Sequence, residues 1–101
     1  MPNKYISGTL AADGETAGIV IVEKGLAFVG GAGGADFGSG TVTVQAKGPD
    51  GQWYDTQETF SASDVKSLSF NLPTEVRLSL SGSTDPDIDY AIQSDMGSYR
   101  D

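Results

Sequence analysis

Apolar and polar residues alternate one by one along much of this chain, and this alternation is the feature that most constrains its fold. Because the side chains of a β-strand point in turn to its two faces, such alternation predicts a strand with one buried and one solvent-facing side. Helical spacing of apolar residues is not sustained over three turns anywhere in the chain. An all-β protein is therefore expected. The apolar positions of the four clearest segments are Val42-Val44-Ala46, Leu68-Phe70-Leu72, Val76-Leu78-Leu80 and Ile88-Tyr90-Ile92.

Three segments in the first third of the chain, residues 4–10, 19–22 and 26–29, also predict strands. Residues 19–22 are all β-branched, which is typical of a strand covered on both sides or of a contact between the sheets of a sandwich. Residues 61–66 resemble a single helical turn with a serine cap. About eight short strands without crossover helices indicate an antiparallel β-sandwich or jelly roll. Turn signals separate the strands at Asp13-Gly14, Lys24-Gly25, Gly48-Pro49-Asp50-Gly51 and Leu72-Pro73-Thr74.

The 101 residues of the chain are expected to form a single domain with one core. We place a β-sandwich domain at residues 1–93, with a glycine-rich loop at residues 30–40, and a polar C-terminal tail at residues 94–101. The predicted core consists of Val42, Val44, Trp53, Leu68, Phe70, Leu72, Val76, Leu78, Leu80, Ile88, Tyr90 and Ile92.

Charge and composition narrow the classes of function. The chain has 14 acidic and 6 basic residues and a net charge of −8, which disfavours binding to nucleic acid or to an anionic membrane. Histidine and cysteine are absent, which excludes Cys–His and Ser–His catalysis, zinc sites with nitrogen or sulfur ligands, and disulfides. The apolar runs are too short to cross a bilayer, and the N-terminus does not read as a signal peptide. We expect a structural or binding module without a cofactor rather than an enzyme.

The glycine-rich loop at residues 30–40 allows two interpretations. It is either a mobile connection or a segment that becomes ordered against a neighbouring subunit, with Phe37 as its apolar anchor. The tail carries Met96 and Tyr99 in an otherwise polar stretch, so these two residues are further candidate contacts with a partner.

Asp85, Asp87 and Asp89 form the most specific polar motif. Three carboxylates at alternate positions are ligands that Ca²⁺ accepts, but the motif lacks the glycine and glutamate of an EF-hand. The simpler interpretation, which we favour, is a turn followed by a strand whose aspartates face water.

Trp53 and Tyr54 are neighbours, so in a strand they point to opposite faces. We expect Trp53 to lie in the core and Tyr54 to be a surface anchor for a partner or a sugar.

Three short motifs lie within residues 38–82: Gly40-Thr41-Val42-Thr43 with Gln45, Asp50-Gly51 with Trp53, and Val76-Arg77-Leu78 with Leu80-Ser81-Gly82. In these motifs the chain resembles a class of small bacteriophage virion proteins. The resemblance implies a β-sandwich without catalysis that occupies a position on the capsid or the tail.

The expected function is therefore that of a non-enzymatic structural virion protein, first of all a capsid decoration or cement subunit. Its expected partners are the major capsid protein or other virion proteins, together with further copies of itself. Its expected location is the phage particle, assembled in the host cytoplasm. Two alternatives remain open: a protein of the tail, neck or fibre, and a carbohydrate-binding module in which Tyr54 and a Ca²⁺ ion held by Asp85, Asp87 and Asp89 contact the sugar.

Overall fold

A computed structural model describes residues 4–31 and 36–95 of the chain. This part of the chain contains strands and turns but no helix, and therefore no helix that could span a membrane. Its nine strands are β1 (Lys4–Leu10), β2 (Gly14–Glu15), β3 (Ile19–Ile21), β4 (Lys24–Gly30), β5 (Thr41–Lys47), β6 (Trp53–Phe60), β7 (Asp64–Ser69), β8 (Thr74–Ser81) and β9 (Ile88–Asp95).

The strands form two antiparallel sheets. One has the order β1-β9-β4-β7, and the other has the order β2-β8-β5-β6, with β3 also paired to β8. Successive strands switch between the sheets except from β2 to β3 and at the β5–β6 hairpin. When β2 and β3 are counted as one interrupted strand, this is the strand order of a jelly roll. The predicted fold class is confirmed.

Thr16 bridges the interruption between β2 and β3. Its backbone N–H donates to the carbonyl oxygen of Leu78 at 2.9 Å, and its Oγ1 accepts from the backbone N–H of Leu78 at 3.0 Å. The Thr16 hydroxyl thus takes the place of a backbone carbonyl in the β-ladder. The backbone N–H of Leu78 therefore keeps a hydrogen-bond acceptor where the edge strand is interrupted.

The core lies between the two sheets and follows the alternation of the strands. In β8, Val76, Leu78 and Leu80 are buried, whereas the intervening side chains face outward. Phe70 and Tyr90 are partly buried and pack against the core. The buried hydrophobic residues are Leu10, Ile19, Ile21, Ala27, Val29, Phe37, Val42, Val44, Phe60, Leu68, Val76, Leu78, Leu80, Ile88 and Ile92.

The structure corrects two of the predicted core positions. Leu72 is 73% exposed. The strand β7 ends at Ser69, so Leu72 lies in the turn before Pro73, where side chains no longer alternate between two faces. Trp53 is only half-buried and lies on the outer face of the five-stranded sheet, as described below.

Several predicted boundaries also change. Residues 61–66 do not form a helical turn, since β7 begins at Asp64. Gly25 is a buried residue of β4 rather than part of a turn.

Val20 is 41% exposed, so residues 19–22 are not covered on both sides. Ile19 and Ile21 instead face the opposite sheet. The last strand, β9, continues to Asp95, and Ser94 within it is fully buried.

Candidate functional site

Phe37 is part of the protein's own core. Only 8% of its surface is exposed, so little of the ring is left to contact a partner. The ring belongs to the same hydrophobic cluster as the buried residues of the strands.

The residues around Phe37 are held by hydrogen bonds. Asp36 and Asp87 form a two-way antiparallel bridge, with N–O distances of 3.0 and 2.7 Å. The Gly38 carbonyl accepts from Thr84 at 3.0 Å, and the Gly40 N–H donates to the Phe37 carbonyl at 2.8 Å. All of these hydrogen bonds are formed within one chain. Residues 32–35, Met96 and Tyr99 lie outside the described residues.

The close approach of the Thr84 backbone requires glycine at position 38. Its φ is +56°, and a β-carbon there would lie 2.2 Å from the carbonyl oxygen of Thr84. A side chain at this position is incompatible with the contact between the two loops.

Asp85, Asp87 and Asp89 do not converge. Asp87 is fixed through its backbone bridge to Asp36, and the Asp89 carboxylate accepts a hydrogen bond from the Thr9 hydroxyl at 2.9 Å. Asp85 lies in the preceding turn with a φ of +49°. Within residues 4–31 and 36–95, no three acidic side chains are grouped as metal ligands. This is the arrangement of a turn followed by a strand.

Tyr54 is 50% exposed, as a surface residue should be, but its hydroxyl is already occupied. It donates to Oδ2 of Asp50 at 2.5 Å, while Oδ1 of Asp50 accepts from the Gln52 N–H at 2.9 Å. The Tyr54 hydrogen bond lowers the pKa of Asp50, and the same bond raises the pKa of Tyr54. The pair closes the β5–β6 hairpin, in which Gly51 has a φ of +84°.

The side chains of Gln45, Trp53 and Arg77 form a connected group on the outer face of the five-stranded sheet. The guanidinium carbon of Arg77 lies 4.2 Å from the centroid of the Trp53 ring, and Arg77 Nε donates to Gln45 Oε1 at 2.8 Å. Gln45 Nε2 in turn donates to Asp55 at 2.8 Å. We call Gln45, Trp53 and Arg77 the outer-face cluster.

Strand register explains how the outer-face cluster assembles. Gln45 is the cross-strand partner of Arg77 on β8, and Lys47 is the partner of Trp53 on β6. Partners in antiparallel strands share a face, so these side chains lie on the side opposite the buried Val44. The hairpin turn at residues 48–51 was the sequence signal for the outward position of Trp53, because it pairs Trp53 with an outward-facing residue of β5.

Lys47 borders the outer-face cluster. Its Nζ lies 5.8 Å from the Trp53 ring centroid and 3.7 Å from Oε1 of Glu75. Because the Lys47 and Glu75 side chains are 40% and 37% exposed, the ion pair contributes little stability. This part of the sheet thus presents a surface of mixed cationic and aromatic character to solvent, formed by Arg77, Lys47 and the Trp53 ring. Surfaces of this kind are found in protein interfaces.

Comparisons of this chain with family models, with curated proteins and with solved structures find no match.

Proposed function

We propose that this protein is a non-enzymatic structural subunit of a bacteriophage particle that attaches to the capsid as a decoration or cement protein. The observation that carries the proposal is the outer-face cluster. Gln45, Trp53 and Arg77 are three of the residues on which the resemblance to small phage virion proteins rests, and Arg77 contacts both of the others in the fold.

The convergence of these residues supports the resemblance. Gln45 and Arg77 are 32 positions apart in the sequence but are bonded side chain to side chain. The segments that carry the resemblance become β5, β6 and β8, which are neighbours in one sheet. A single short motif of this kind can arise by chance. Here, however, side chains from three strands are joined by contacts on one face of the sheet.

The architecture suits attachment to a large assembly. A jelly roll offers two broad sheet faces, and this fold recurs in viral capsid and lectin domains. The fold alone does not specify a function, so the proposal rests on the face and its residues. The major capsid protein is the proposed partner, and the net charge of −8 favours a basic patch on it. The virion, assembled in the host cytoplasm, is the proposed location.

A position on the tail, neck or fibre is the alternative within the same class. The carbohydrate-binding alternative has less support, because Arg77 covers one side of the Trp53 ring and Asp50 engages the Tyr54 hydroxyl. A sugar platform needs an open aromatic face. A glycan-array signal that disappears with EDTA would favour that alternative.

Mass spectrometry of purified particles tests the proposal directly. The protein is expected in intact virions of the phage whose genome encodes it, and in the head fraction after heads and tails are separated. Recovery with the tails alone would select the alternative position, and absence from purified virions would refute the virion assignment.

Cosedimentation with particles that lack the protein tests the outer-face cluster. Arg77→Ala is expected to weaken binding about tenfold or more, the effect of removing an interface arginine. Lys24→Ala is the matched control, because it removes one positive charge from an exposed position of the other sheet. Equal binding by the two variants would exclude the cluster as the attachment surface.

A further inference from the structure

Arg77 is a cation without a carboxylate partner in the part of the chain that the structure describes. Two lysines do have such partners, since Lys47 lies 3.7 Å from Glu75 and Lys66 lies 3.9 Å from Asp64. Around Arg77, no carboxylate oxygen of a described residue lies within ion-pair distance. In a chain with 14 acidic and 6 basic residues, an arginine left in this state is unexpected.

Two acidic side chains lie beside the outer-face cluster, and each is held by another group. Glu75 precedes Arg77 by two positions on the same face of β8, but its ion-pair partner is Lys47. Asp55 is the cross-strand partner of Gln45 and accepts a hydrogen bond from the Gln45 amide at 2.8 Å. The charge of the guanidinium therefore stays available to a group from outside the chain.

Two contacts hold the Arg77 guanidinium in place. Its central carbon lies 4.2 Å from the centroid of the Trp53 ring, and its Nε donates to Gln45 Oε1 at 2.8 Å. The remaining N–H groups of the guanidinium, on its two Nη atoms, donate to no acceptor among the described residues. These free donors are thus oriented before a ligand binds.

The free donors determine which ligand fits. A carboxylate accepts from both Nη atoms through its two oxygens, in the bidentate geometry that arginine favours, and this mode leaves Nε to Gln45. A phosphate group would accept from the same donors but carries a charge of about −1.5 to −2. The net charge of −8 and the neighbouring Glu75 and Asp55 repel it more strongly than a singly charged carboxylate.

We propose that the outer-face cluster binds a carboxylate of the partner protein, whose two oxygens accept from the Nη groups of Arg77. The inference rests on the proposed function for the identity of that partner. The ligand is then an aspartate, a glutamate or the C-terminal carboxylate of the major capsid protein. A basic patch on the partner attracts the acidic chain at long range, whereas the carboxylate fixes the contact at short range.

Titration of the isolated full chain with sodium acetate tests the binding site without a virus particle. Trp53 is the only tryptophan, so its fluorescence and its indole N–H resonance report on the ring against which Arg77 lies. Both signals are expected to change saturably, with a dissociation constant of about 10–100 mM for one charge-assisted contact. Sodium chloride at the same ionic strength is the control. Equal responses to acetate and chloride would refute the carboxylate site.

A titration with sodium phosphate separates the two anions. Phosphate is expected to bind no more tightly than acetate at the same ionic strength, because its larger charge meets the acidic surface of the chain. Binding of phosphate more than about tenfold tighter than that of acetate would overturn the assignment to a carboxylate.

Matched variants locate the site. Gln45→Glu places a carboxylate of the chain itself beside Arg77, where it competes for the guanidinium, and it is expected to weaken acetate binding at least about fivefold. Gln57→Glu makes the same change at an exposed position of β6 outside the cluster and should alter binding by less than about twofold. Circular dichroism checks that both variants fold. Equal acetate binding by both would show that the site lies elsewhere.

Arg77→Lys distinguishes bidentate binding from attraction to a positive charge. Lysine keeps the charge but lacks the planar pair of donors, so acetate binding is expected to fall at least about fivefold. Wild-type affinity in this variant would contradict the proposed geometry.

Cosedimentation with virus particles distinguishes the failure of this inference from the failure of the proposed function. A protein that sediments with particles but shows no response to acetate would overturn the carboxylate site and leave the proposed function standing. A saturable acetate response in a protein that is absent from purified virions would support the site and refute the proposed function.

Discussion

Gly25 of β4 and Ile21 of β3 belong to different sheets, and a β-carbon on Gly25 would lie 2.7 Å from Cδ1 of Ile21. The carbonyl oxygen of Gln93 would be even closer, at 2.6 Å. Because one obstacle is backbone, the clash cannot be relieved by a side-chain rotation alone. Gly25→Ala is expected to lower the free energy of unfolding by about 1–3 kcal/mol, measured by urea denaturation.

Gly30→Ala is the control for this prediction, since Gly30 lies in the same strand. A β-carbon there would approach Ser63 no closer than 3.5 Å, an ordinary contact. Its stability is expected to be unchanged or to rise by up to about 1 kcal/mol, because alanine restricts the unfolded chain. A comparable loss in both variants would mean that the sheets are not in close contact at Gly25.

Trp53 and Arg77 are expected to stabilise the sheet jointly. A double-mutant cycle with Trp53→Ala and Arg77→Ala should give a coupling free energy of about 0.5–1 kcal/mol, the range of an exposed cation–π pair. Arg77→Lys should recover only part of it, because lysine lacks the planar group that stacks on the ring and donates to Gln45. Additive effects of the two alanine variants would contradict the contact.

Much of the fold was readable from the sequence because it depends on alternation. In β8 and β9, apolar residues recur at every second position, and the structure buries Val76, Leu78, Ile88 and Ile92 as expected. At Leu72 the apolar alternation continues beyond the end of the strand into a turn, and there it does not predict burial.

The site was less predictable, because it depends on which strands become neighbours. Trp53 and Tyr54 had to face opposite ways, but only the pairing of Trp53 with Lys47 decides which of them faces out. In the same way, the burial of Phe37 depends on the bridge between Asp36 and Asp87, which are far apart in the sequence. The hairpin turn at residues 48–51 encodes the first of these pairings, but no local pattern encodes the second.

Asp13 is expected to make stability depend on pH in the acid range. The Ser83 hydroxyl, above all, and the backbone N–H groups of Ser83 and Gly82 donate to its carboxylate and hold its pKa below the ordinary 3.8. A lowered pKa stabilises the folded state above the unfolded value, and this contribution is lost as pH falls through the folded value. Ser83→Ala should move the pKa of Asp13 back toward 3.8 in an NMR titration, and an unchanged pKa would exclude this cause.

Tyr54 and Asp50 are expected to affect stability at both ends of the pH range. The pKa of Tyr54 is raised, so its contribution is present below the ordinary value of 10.0 and is lost as pH rises through the folded value. The pKa of Asp50 is lowered by the same bond, so its contribution is lost in acid. Tyr54→Phe should flatten both limbs of a stability profile, whereas Tyr5→Phe, in the other sheet, should leave the Asp50 pKa unchanged. A profile of Tyr54→Phe that matches the wild type would rule out the bond.

Phe37 is expected to act through the core rather than through a partner. The ring is 8% exposed, so Phe37→Ala should lower the free energy of unfolding of the isolated protein by about 3–5 kcal/mol in urea denaturation. Leu72→Ala is the control, because Leu72 is 73% exposed and its removal should change stability by less than about 0.5 kcal/mol. If Phe37 were instead a free anchor, both variants would be as stable as the wild type, and Phe37→Ala would reduce only binding to other chains.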